Sequence, residues 1–169
     1  MVAGLLITVF SAPAHAEKLR AKLVGFQEVP AVSTVATGEF HATINPGDQS
    51  IDYELTYSGL QGTVTQAHIH VGQRSVIGSI VIWLCQTPTN PGPVGTQTCT
   101  SGSGTFTGHI TAANVVAGAT ASQQLAAGEL AEVIAAIRAG VAYANVHTVL
   151  STGGEIRGQI RVLHREHHD

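Results

Sequence analysis

Glu39-Phe40-His41-Ala42-Thr43-Ile44-Asn45-Pro46-Gly47-Asp48-Gln49-Ser50-Ile51-Asp52-Tyr53-Glu54-Leu55-Thr56-Tyr57-Ser58 decides the fold. Phe40, Ala42 and Ile44 alternate with Glu39, His41 and Thr43. After the turn signal Asn45-Pro46-Gly47-Asp48, Ile51, Tyr53, Leu55 and Tyr57 alternate with Asp52, Glu54, Thr56 and Ser58. A period of two on either side of a turn marks two half-buried antiparallel strands. Working outward, further strands are expected at residues 19–29, 64–71, 79–84, 104–110, 142–148 and 155–163. Short strands at this spacing with Gly-rich turns predict an all-β sandwich or barrel of antiparallel strands. One helix interrupts them: residues 129–139 are Ala-rich with apolar residues at helical spacing, and Gly140 fits a C-terminal stop. Trp83 lies in an apolar run and reads as core.

The chain has 169 residues, enough for one domain with its own core. Only 11% of residues are charged and there are 19 glycines, a turn-rich globular composition rather than a disordered one. The net charge of −3 with 8 Lys+Arg and no basic cluster argues against nucleic acid as a partner.

Residues 1–16 read as a signal peptide. Met1 to Phe10 are nearly all apolar, Ser11-Ala12-Pro13 breaks the run, and Ala14-His15-Ala16 has the small-x-small form of a signal-peptidase site. The mature chain is then expected to begin at Glu17 and to work outside the cytoplasm, in the periplasm or secreted. No stretch reaches the roughly 18 apolar residues of a membrane span. Cys85 and Cys99 flank a loop rich in Pro, Gly and Thr, and an even cysteine count in an exported chain predicts a disulfide, with paired thiolate metal ligands as the rival reading.

The histidines carry the candidate chemistry. In Gln66-Ala67-His68-Ile69-His70-Val71, the two imidazoles share one strand face while Ala67, Ile69 and Val71 point to the core. In Tyr143-Ala144-Asn145-Val146-His147, Asn145 and His147 face away from the core in the same manner. Glu155, Arg157 and Gln159 form a third polar set. If the three strands are neighbours, His68, His70 and His147 converge. Three neutral imidazoles suit copper or zinc and leave one position open, with Glu155 as a fourth ligand or as an acceptor orienting an imidazole. With both cysteines oxidised no thiolate ligand remains, which argues against a blue-copper site. His41 and His109 read as exposed strand positions, and residues 164–169 as a solvated His-rich tail. No nucleophile elbow, phosphate loop or dinucleotide fingerprint is present.

A family resemblance rests on seven segments. They are Leu23-Val24-Gly25-Phe26-Gln27-Glu28-Val29-Pro30, Ala36-Thr37-Gly38, Tyr57-Ser58-Gly59-Leu60, Ala67-His68-Ile69-His70-Val71-Gly72, Ile134-Ala135-Ala136-Ile137-Arg138-Ala139-Gly140, Ala142-Tyr143-Ala144-Asn145-Val146-His147-Thr148 and Gly153-Gly154-Glu155-Ile156-Arg157-Gly158-Gln159-Ile160. Their order and spacing resemble the CHRD domain, named from chordin, over residues 17–163. The resemblance implies an immunoglobulin-like or dismutase-like β-sandwich with one short α-helix and implies no reaction. Glu28, His68, His70, His147, Glu155 and Arg157 are the polar positions that match its motifs. A weaker resemblance is to copper-zinc superoxide dismutases, through Gly59-Leu60 before His68-Ile69-His70 and the late Asn145-Val146-His147. No bridging histidine or zinc-site aspartate accompanies them.

Three function classes follow. The first is an exported metal-binding domain with copper, or else zinc, on His68, His70 and His147. The second is a metal-free interaction or matrix module with an unknown protein partner. The third is a dismutase-like redox enzyme.

Overall fold

A computed structural model describes residues 15–163, so the expected signal segment, up to its last two residues, and the His-rich tail lie outside the described residues. The alternation of the opening hairpin is realised in full. Strands β1 (Glu17–Val24), β2 (Thr37–Ile44) and β3 (Ile51–Ser58) run antiparallel, with Phe40 opposite Leu55, Ala42 opposite Tyr53 and Ile44 opposite Ile51. The chain continues through β4 (Val64–Val71), β5 (Ser79–Cys85), β6 (Gly104–Ile110), the helix α1 (Leu130–Arg138), β7 (Ala142–Thr148), β8 (Ile156–Gln159) and β9 (Arg161–Leu163). The all-β antiparallel fold with one short helix is as expected.

The strands form one sheet in the order β5-β4-β7-β8-β1-β2-β3-β6, with β9 also paired to β1. It folds into two layers. β1 pairs with β8 only at Val24 opposite Arg157, so the hydrogen-bonded joint between the layers is short. On the far side the layers nearly meet again, almost closing a barrel. Ile82 bridges Val115, the Val116 N–H donates to Val81 O, and the Tyr53 hydroxyl donates to Leu84 O at 3.3 Å. The Cys85 and Cys99 sulfurs lie 2.06 Å apart across this closure. The disulfide fits an oxidising compartment and, in the chain-entropy model, closing its loop contributes about 3 kcal/mol.

Two expected strands differ in extent. The strand expected at residues 19–29 ends at Val24, where Gly25–Gln27 make a 3-10 turn and Gly25 O receives the N–H groups of Glu28 and Val32. The strand expected at residues 155–163 breaks at Ile160, because β8 pairs with β7 while β9 crosses to β1 in the other layer. α1 buries Leu130, Val133, Ile134 and Ile137, one stripe at helical spacing. Gly140 ends the turn at φ +70, a conformation only glycine adopts readily.

Candidate metal centre

β4 and β7 are neighbours, and their register sets the site. His68 stands opposite Asn145, His70 opposite Tyr143 and Gln66 opposite His147. His68 and His147 are therefore diagonal neighbours on one face, as are His70 and Asn145, close enough for side chains to touch. One ring nitrogen from each of His68, His70 and His147 lies within 4.8 Å of the others.

The face they occupy is not open to solvent, contrary to the sequence reading of an outward polar face. His68 is 0% exposed, His70 5% and His147 6%. Three covers close over it. Residues 72–78 fold back so that Gly78 O meets His70 Nδ1 at 3.0 Å and Gln73 O accepts from Arg157 Nη2 at 2.9 Å. The Thr152 carbonyl meets His147 Nδ1 at 2.9 Å. Trp83 presents an edge-on ring 4.3 Å from His68.

Trp83 is half-buried on this face rather than inside the core, and the cause is local. β5 pairs Cys85 with Ala67 but Trp83 with His68, then Ile82 with Ile69 but Ile80 with His70, so Leu84 and Val81 are extra residues in two bulges. Each bulge shifts the alternation by one residue, which turns Trp83 outward from an apolar run.

Backbone carbonyls only accept, so they fix the tautomers. His70 and His147 each donate through Nδ1, to Gly78 O and Thr152 O, and each keeps its lone pair on Nε2. This is how metal-ligating imidazoles are oriented. His68 Nδ1 then donates to His147 Nε2 at 3.2 Å, which leaves His68 Nε2 as a buried lone pair with no partner. Burial, reinforced by the neighbouring imidazoles, pushes His68 down to about 2. Burial pushes His70 to about 4 against the pull of Gly78 O, and His147 is lowered by burial as well. The triad is thus three neutral nitrogen donors at ordinary pH. An orphaned nitrogen and convergent lone pairs fit a borderline transition metal with metal–nitrogen bonds of about 2.0–2.1 Å.

The other candidate residues divide. Tyr143 stacks on His70 at 4.6 Å, and the Arg157 guanidinium sits 3.3 Å from the centre of the Tyr143 ring. Arg157 thereby caps the site from one side. Glu28 reaches the same face from the β1–β2 connection. Burial raises its carboxyl to about 7, opposed by the charge of Arg157, the Val29 N–H and the Asn145 amide, and its Oε1 has no partner.

Glu155 is not brought to the triad. Its Oε1 accepts from Thr34 Oγ1 and the Gln61 N–H, both at 2.8 Å, and its Oε2 from Thr148 Oγ1 at 2.8 Å and the Gly62 N–H at 3.4 Å. Although burial raises its carboxyl, these donors together hold it below the usual range. The sequence reading assigned no role to Asn145, although it stands two residues before His147 on the same face. His41 and His109 are exposed, as expected, beside Glu39 and Asp52. A surface depression of about 450 Å3 between Lys22, Glu39 and Tyr57 lies on the other layer and includes no triad residue.

The buried imidazoles make the metal-free domain acid-sensitive. An unfolded histidine takes a proton near 6.5 and the folded ones do not. Stability therefore falls as pH drops below 6.5, through about 4 for His70 and towards about 2 for His68. Glu28 acts oppositely: its contribution is full below 4.5 and is lost as pH rises through about 7. The histidines outnumber it. The expected result in a chelator is a Tm at pH 5 about 5 °C below that at pH 7, by circular dichroism, with a steeper fall in Glu28→Gln. A flat profile would show that the folded triad accepts protons.

Comparison with known proteins gives one match. The CHRD domain family matches residues 19–160. No curated protein and no solved structure matches the chain, and the likeness to copper-zinc dismutases is not shown.

Proposed function

We propose that this chain, which belongs to the CHRD domain family, is an exported protein that holds one transition-metal ion, copper ahead of zinc, on His68, His70 and His147. The observation that carries the reading is the convergence of three buried imidazoles, two of them anchored through Nδ1 to backbone carbonyls and the third left with an unpaired nitrogen. Ligand atoms held this way meet an ion with little further ordering. The signal-like residues 1–16 and the Cys85–Cys99 pair support a site of action outside the cytoplasm. The domain is then residues 17–163.

A bound ion would supply a fixed positive charge in a buried site. The chain's own residues orient the imidazoles, through Gly78 O and Thr152 O, and exclude water, through Trp83, Tyr143 and residues 72–78. The test is metal content by mass spectrometry on exported protein without an affinity tag and without residues 164–169. The comparison is wild type beside His68→Ala/His70→Ala. About one equivalent is expected in wild type and none in the variant. No metal in either after reconstitution with Cu2+ or Zn2+ would overturn the proposal and leave the triad as a packing cluster of an interaction module.

A further inference from the structure

Asn145 makes a buried contact with His70 at the edge of the triad. His70 Nδ1 donates its only proton to Gly78 O, so Nε2 carries a lone pair. Asn145 Oδ1 lies 3.1 Å from that Nε2. In this orientation of the amide its oxygen faces that lone pair. Two lone pairs at this distance repel, so either the amide reverses and donates to Nε2 or a cation lies between them.

The spacing has the form of a coordination sphere. His70 Nε2 to Asn145 Oδ1 is 3.1 Å, and His68 Nδ1 to His147 Nε2 is 3.2 Å. Four ligands about 2.0–2.1 Å from one ion in a tetrahedron are separated by roughly 3.4 Å. The His70–Asn145 contact is of edge length, and the His68–His147 hydrogen bond becomes a second edge when the metal takes His68 Nδ1 in place of its proton, which then resides on Nε2. Glu28 Oε1 and His68 Nε2 are the two buried side-chain polar atoms without partners among the described residues, and both belong to this network.

We infer that the Asn145 carboxamide oxygen is the fourth inner-sphere ligand of the metal, completing a neutral three-nitrogen, one-oxygen set. The inference rests on the three-histidine reading and deepens it in two ways. A neutral set with one hard oxygen favours a divalent ion, Cu2+ or Zn2+, over Cu+. Four protein ligands also leave no open position, the arrangement of a site that holds its ion rather than turning over a substrate.

The test is zinc affinity, by competition with a chromophoric chelator, for tail-trimmed wild type, Asn145→Leu and Asn145→Asp with the disulfide intact. Asn145→Leu should bind at least about tenfold more weakly, and Asn145→Asp as tightly as wild type or tighter. A wild type that binds no zinc would remove the metal reading itself. A wild type that binds while Asn145→Leu binds equally or more tightly would remove only the fourth ligand, because the amide would then be a hydrogen-bonding plug that the metal displaces. Should Asn145→Leu fail to fold, paramagnetic resonance of Cu2+-loaded wild type in 17O-enriched water decides. An unbroadened spectrum is expected, and broadening would place a water where Asn145 is assigned.

Discussion

Glu155→Ala should destabilise the metal-free domain by about 4 kcal/mol, a large part of the 5–15 kcal/mol that holds a domain of this size together. The carboxylate is 1% exposed and accepts four hydrogen bonds, from Thr34, Gln61, Gly62 and Thr148. Those donors come from three separate parts of the chain: the β1–β2 connection, the β3–β4 connection and the end of β7. Alanine leaves all four without an acceptor in a site that admits little water. An unsatisfied buried donor costs roughly 1–3 kcal/mol, and partial relaxation brings the sum down. In urea the midpoint should fall by about 2 M at unchanged slope. Glu155→Gln keeps the shape and one acceptor oxygen, so it should lie between the two. The same experiment separates anchoring from ligation. A metal ligand would lower ion affinity and leave the chelated protein as stable as wild type, and that result would refute the anchoring role.

Gly78→Ala is the second large effect, and it joins stability to the site. A Cβ at residue 78 would lie 1.7 Å from Val71 O, 2.5 Å from Val71 C and 2.9 Å from Gly72 Cα. These are backbone atoms at the end of β4 and the start of the β4–β5 connection, so no side-chain rotation relieves the clash and the loop must move. Overpacking of this kind costs about 3 kcal/mol. Displacement also withdraws Gly78 O from His70 Nδ1 and the Gly78 N–H from the Tyr143 hydroxyl, at 3.0 and 3.2 Å. Loss of such an orienting partner weakens metal binding by about 10- to 100-fold. Gly153→Ala is the control, because nothing lies within 4 Å of its Cβ position, and it should change stability by no more than about 0.5 kcal/mol. Equal stabilities for the two variants would show that residues 72–78 rearrange freely and do not hold His70.

The β2–β3 hairpin was legible because each inward position carries a large apolar side chain and each outward one a polar group. The helix was legible from its stripe of Leu130, Val133, Ile134 and Ile137. That His68, His70 share a face was equally plain, since a strand has a period of two. What covers that face was not. Two of the covers, residues 72–78 and Thr152, arrive from connections whose paths depend on the whole fold, and the third, Trp83, from a bulged strand. Alternation distinguishes two faces but does not say that both are buried. Trp83 was misread because a bulge changes the phase of a strand without leaving a mark in an all-apolar run. Glu155 was misread for a related reason: carboxylates that bind metal and carboxylates that anchor loop amides look alike until the donors around them are placed. Asn145 had one local signal, its position two residues before His147, and its contact with His70 depends on the β4–β7 register.

The pairing of Lys18 with Leu163, Leu19 with Val162 and Arg20 with Arg161 brings the two ends of the domain side by side. Tension applied through residues 17 and 163 therefore pulls across that short ladder, at right angles to the strands. Its bonds are loaded one after another, in a peeling mode, rather than all at once in shear. A domain tethered at both ends would yield first at this rim and at low force, while β2, β3 and β6 and the histidine face of β4 and β7 remain unloaded.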